Sequence, residues 1–80
     1  MNIQLIQGHF ETKEAIDLIT KMIHIKIKFQ EDKINNNSNE EDVKMRENRI
    51  KQLQKDLFKA RESIEKQKGK TTIQSEIHIS

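Results

Sequence analysis

Ile23-His24-Ile25-Lys26-Ile27-Lys28-Phe29 admits two readings, and the choice between them decides the fold. Taken alone, the stretch alternates apolar and polar residues like a half-buried strand. Its surroundings favour a helix. From Lys13 to about Ile34 no Gly or Pro interrupts the chain. Helical stepping places Ala15, Ile16, Leu18, Ile19, Met22, Ile23, Ile25, Ile27, Phe29 and Ile34 within one arc of roughly 200°. Glu14, Asp17, Lys21, His24, Lys28, Glu31 and Asp32 occupy the other side, with Asp17 and Lys21 at the favourable i,i+4 spacing. The segment is therefore read as helix over about residues 13–34. Lys26 and Gln30 are its misfits, and Lys26 would have to run its stem along the surface to reach water.

A narrower pattern follows. Val43, Ile50, Leu53, Leu57, Ala60 and Ile64 recur at heptad spacing, and only Arg46 breaks the series. Such a seam is suited to one partner helix. Between the two patterns lies the polar connection Asn35-Asn36-Asn37-Ser38-Asn39, in which Ser38 and Glu41 have capping-box spacing. A second helix is expected over about residues 40–68, with Lys66 and Lys68 at the negative end of its dipole and Gly69 able to terminate it in the left-handed conformation.

Outside the helices, Asn2 to Gln7 reads as a short strand with Ile3 and Leu5 on one side, stopping at Gly8; Thr12 is placed to cap the first helix. After Gly69, Ile73, Ser75, Ile77 and Ile79 alternate with Thr72, Gln74, Glu76 and His78, the pattern of a half-buried strand over about residues 71–80. The expected fold is α+β: a single domain over residues 1–80 in β-α-α-β order, with a long antiparallel helical hairpin and a small antiparallel sheet of the two terminal strands. If each helix lies back on its strand, the helices cover one face of the sheet. Helices of roughly 33–45 Å then outrun strands of roughly 20–33 Å, so the hairpin tip projects.

Eighty residues bury only about 60% of the surface of the unfolded chain. No Cys is present for disulfides or thiolate metal sites, and His9, His24 and His78 stand too far apart for a helical metal pair. The first helix carries more apolar arc than one helix and a two-stranded ribbon can cover, and each strand has an unpaired edge. A two-fold homodimer is therefore expected in which the strands join into a four-stranded sheet and the wide faces of the first helices pack against it or against each other, with Ile19, Met22, Ile25, Phe29, Ile73, Ile77 and Ile79 at its interface. There is no run of about 18 apolar residues, and Met1-Asn2-Ile3-Gln4-Leu5 lacks the form of a signal peptide, so a cytoplasmic protein without a membrane segment is expected.

The stretches Ile3-Gln4-Leu5-Ile6-Gln7-Gly8-His9-Phe10, Thr12-Lys13-Glu14-Ala15 and Ile73-Gln74-Ser75-Glu76-Ile77-His78-Ile79 resemble a group of small uncharacterised bacterial proteins. The resemblance spans most of the chain and implies the strand-helix-helix-strand order; it brings no activity and no functional residue.

Chemistry-bearing motifs are scarce. Convergence of His9, His24 and His78 on a metal would need a turn, a helix and a strand to meet, and their ordinary role is as polar surface groups. Glu40, Glu41 and Asp42 cluster in a first helical turn, where dipole and capping account for them. No nucleophile elbow, phosphate-binding glycine loop or helical zinc-protease motif occurs; no enzyme, cofactor or small-molecule substrate is expected. Net charge is +2, yet residues 1–42 carry 5 basic and 8 acidic side chains against 10 and 5 in residues 43–80. Within the basic half, Lys44, Lys51, Lys55, Lys59 and Lys66 share a sector roughly 80° wide opposite the seam, interrupted by Glu62. That stripe could follow a phosphate backbone, although charged helix backs are usually just solvated. Phe10, Phe29 and Phe58 read as core or interface anchors, with Phe58 off the seam and able to mark a surface patch. The sequence thus points to a non-catalytic homodimeric interaction or adaptor module, and secondarily to a nucleic-acid accessory protein. Leu53→Asp is the direct test of the seam: a carboxylate buried there should cost about 2–4 kcal/mol and abolish helical circular dichroism at room temperature.

Overall fold

The computed structural model describes residues 1–36 and 39–80, whose elements run β1 (Asn2–Phe10), α1 (Thr12–Asn35), α2 (Glu40–Lys66) and β2 (Thr71–His78). Ile23 to Phe29 lies inside α1 and is helical. The architecture is α+β, an antiparallel helical hairpin with a two-stranded antiparallel sheet.

The element ends differ from the sequence reading in detail. α1 is capped by Glu11, and Thr12 is already helical: the Glu11 amide donates to Glu14 Oε1 at 3.3 Å, and Ala15 N–H bonds Glu11 O at 2.8 Å. A carboxylate three residues into the helix reaches back to the cap amide, so no hydroxyl is required at residue 12. At the start of α2, Asn39 Oδ1 accepts from the Glu41 and Asp42 amides at 2.9 and 3.4 Å. The expected Ser38–Glu41 box lies outside the described residues. α2 ends at Lys66, short of Lys68. Gln67 is extended and its N–H reaches Ile64 O at 3.2 Å, and Gly69, at φ +89°, bends the connection instead of capping the helix. Thr71 is buried there, its hydroxyl donating to Gln67 Oε1 at 3.2 Å.

β1 does not stop at Gly8 but runs through it. Gly8 adopts φ +149°, a value side chains disfavour, and the Phe10 ring lies 3.9 Å from where a Cβ would stand. The glycine serves a bend within the strand rather than its end. The register pairs Phe10 with Thr71, Gly8 with Ile73 and Ile6 with Ser75, then shifts between Gln4 and Ile6, so that Gln4 faces Glu76 and Ile3 faces Ile77. Ile3 and Leu5 are therefore not simple same-side neighbours. The irregularity at Leu5 changes the parity of β1 and brings Phe10, Ile6 and Ile3 onto one face with Ile73 and Ile77. Asn2, Gln4, Gln7 and His9 share the opposite face with Thr72, Gln74, Glu76 and His78.

The helices meet along the heptad seam. Val43, Arg46, Ile50, Leu53, Leu57 and Ala60 are half-buried and Ile64 is buried. The break in the seam has a partner: Arg46 Nη1 donates to Gln30 Oε1 at 2.8 Å. Antiparallel counting from that pair sets Ile27 level with Ile50, Ile23 with Leu53 and Ile19 with Leu57. All three α1 residues are half-buried.

The helices cover one face of the sheet only near the base of the hairpin. The Cα positions extend 47 × 32 × 13 Å, and the radius of gyration is 15.1 Å, against about 12 Å for a compact chain of this length. Two adjacent helices span only roughly 15 Å across, so the 32 Å width belongs to a ribbon that leaves the hairpin base at an angle. Burial follows that geometry. Phe10, Gly8, Ile6, Ile73 and Ser75 near the base are half-buried, whereas Ile3, Ile77 and Ile79 farther out are exposed. Rigid helical rods joined to strands by one to four residues set this angle, which alternation along a strand does not encode.

The Gln30–Arg46 layer yields a prediction. Gln30→Ala should lower the urea-unfolding free energy by about 1–2 kcal/mol, because a half-buried guanidinium loses its acceptor. Leu at both positions should restore wild-type stability or exceed it.

Candidate functional site

α1 carries two apolar stripes. Ile16, Ile19, Ile23, Ile27 and Ile34, with Gln30 among them, form the stripe that meets α2. Leu18, Met22, Ile25 and Phe29, at i, i+4, i+7 and i+11, form a second stripe roughly 130° around the helix. Leu18 and Met22 are half-buried near the hairpin base, but Ile25 is 70% exposed and Phe29 56% exposed. Lys33 Nζ sits 5.5 Å from the centre of the Phe29 ring. The wide arc of the sequence is thus divided between a used face and an open one.

A second open apolar surface lies on the ribbon. Ile3, Leu5, Ile77 and Ile79 are exposed, as is Met1, whose backbone continues the ladder: Met1 N donates to Ile79 O and Ile79 N to Met1 O, each at 2.7 Å. Of the interface residues expected from sequence, Met22, Ile25 and Phe29 fall on the open stripe of α1, and Ile77 and Ile79 on the outer ribbon. Ile19 faces the hairpin seam, and Ile73, half-buried, sits opposite Gly8 near the base. Ile3 was missed. Its relation to Ile77 depends on the strand register and the shift at Leu5, for which single-strand alternation carries no signal.

The ribbon's other face is polar. His9 Nδ1 and Thr72 Oγ1 lie 2.9 Å apart, and His78 Nδ1 is hydrogen-bonded to Asn2 Oδ1. Pairing of the strands does not bring His9 and His78 together. Thr72 and Asn2 mark opposite ends of the ladder, six β2 residues or about 20 Å apart. His24 is exposed on α1, and among the described residues no three His, Asp or Glu side chains are grouped as metal ligands.

On α2, Lys44, Lys51, Lys55, Lys59 and Lys66 are all exposed along the side away from the seam. Phe58, 65% exposed, packs under neither sheet nor connection. With Leu57, Arg61 and Glu65 it lines an open groove of about 410 Å³. On α1, Lys21 and Asp17 form an ion pair at 2.9 Å, with both side chains largely in solvent. Among the described residues, no helix is long and apolar enough to cross a membrane.

Neither a protein-family model, a curated protein nor a solved structure matches this chain.

Proposed function

We propose that the protein is a non-catalytic homodimeric interaction or adaptor module that displays its helical hairpin to a protein partner. The observation that supports this is an excess of surface. The chain exposes 6474 Å², about 1,400 Å² more than the roughly 5,000 Å² expected of a compact monomer of 9.5 kDa. Among the described residues only Ala15 and Ile64 are buried hydrophobic side chains, while Ile25, Phe29, Phe58, Ile77 and Ile79 face water. Covering that excess on two copies would remove about 2,800 Å² in total, inside the range of obligate dimers. A cytoplasmic setting accords with a chain that has no cysteine to lock its fold by disulfides. Light scattering at low micromolar concentration should give twice the chain mass of 9.5 kDa; a folded, helical monomer overturns the reading.

A second reading has its own observation, the five exposed lysines along the back of α2. They suit a nucleic-acid accessory protein. Fluorescence anisotropy with single-stranded and duplex oligonucleotides separates the two: backbone binding should weaken steeply with added salt, whereas an apolar protein interface survives it. Absence of binding at low salt removes the second reading.

A further inference from the structure

We infer that the second copy of this chain covers the two open apolar surfaces crosswise, the outer ribbon of each protomer lying on the exposed Ile25–Phe29 end of the second α1 stripe of the other. The inference rests on the homodimer proposed above and specifies its contact. Three observations carry it. First, both surfaces are apolar and exposed: Ile25 and Phe29 on α1, beyond the half-buried Leu18 and Met22, and Met1, Ile3, Ile77 and Ile79 on the outer ribbon. Second, neither is covered within its own chain: Ile25, Phe29, Ile77 and Ile79 are exposed together.

Third, the surface excess of about 1,400 Å² per chain is of the size that a stable dimer buries. Stripe against stripe would hide Ile25 and Phe29 but leave Ile3, Ile77 and Ile79 in water. Ribbon against ribbon would do the reverse. Crosswise contact hides both sets with one two-fold operator, since each protomer gives a ribbon and receives one. It also places a two-stranded ribbon, marginal by itself, against a helix, the setting in which such ribbons become stable.

The absence of cysteine from the chain gives a clean test. Phe29→Cys and Ile77→Cys change exposed side chains, and each can be made in a separate chain. The two variants are unfolded and refolded together, then treated with a short bis-maleimide. Crosslinked dimer should form in the mixture, up to about half of the chains, the statistical share of mixed dimers. It should be absent from either variant alone. Crosslinking of the Phe29→Cys chain alone signals stripe on stripe, and of the Ile77→Cys chain alone, ribbon on ribbon; either overturns the proposal. So does a dimeric protein with no crosslink in any sample. A wild-type chain that light scattering finds monomeric fails earlier, at the homodimer itself. As a second readout, Ile25→Asp and Ile77→Asp should each dissociate the dimer. If either variant stays dimeric, its surface lies outside the contact.

Discussion

The side-chain contact between α1 and α2 along the Val43–Ile64 seam sets the layout of the molecule, because it fixes where the two ends of the hairpin, and with them the two strands that pair there, come together. It has apolar layers on both sides of a polar one. Arg46 lends its guanidinium to Gln30 at 2.8 Å while its Nε is buried without an acceptor among the described residues. An imperfectly satisfied charge costs stability relative to leucine, but it also penalises every helix register in which Arg46 meets an isoleucine instead of Gln30. The register of the hairpin brings the chain's two strands to one place, where β1 and β2 pair. Buried Thr71, its bond to Gln67 and buried Ala15 lie at that junction.

A hairpin of this length with a ribbon at its base has little interior. Helices of 24 and 27 residues put most of their length beyond the reach of the strands, and the ribbon angles away from them. Apolar area that a rounder fold would hide is left on two surfaces of different kind, a helical stripe and a pleated face. That division is the physical basis for reading the chain as an assembly-forming module. It also explains why the charged back of α2 is a weaker indicator: exposed lysines on a solvated helix need no partner, whereas exposed Ile25 and Phe29 stand at a cost to solubility.

Much of the fold was legible because helical periodicity is a local property. The seam from Val43 to Ile64 fixed α2 and its inner face, and the unbroken run from Lys13 made Ile23–Phe29 helical despite its alternation. The misfits were informative too. Gln30 and Arg46 each broke an apolar pattern, but nothing in a linear sequence says that two misfits sixteen residues apart stand opposite one another. The candidate surface was only partly legible for the same reason. Ile25 and Phe29 lay within the apolar arc, yet the side of that arc α2 would occupy followed from the hairpin register.

What the sequence determined by itself is the set of elements, their order and the amphipathic character of each, since these depend on residues a few positions apart. Tertiary structure decided what depends on distant residues meeting: the shift at Leu5 that puts Ile3 beside Ile77, the passage of β1 through Gly8, the separation of His9 from His78 and the angle at which the ribbon leaves the hairpin. Strand register and interelement angle arise from packing across the whole chain. No stretch of a few residues contains the distances that set them.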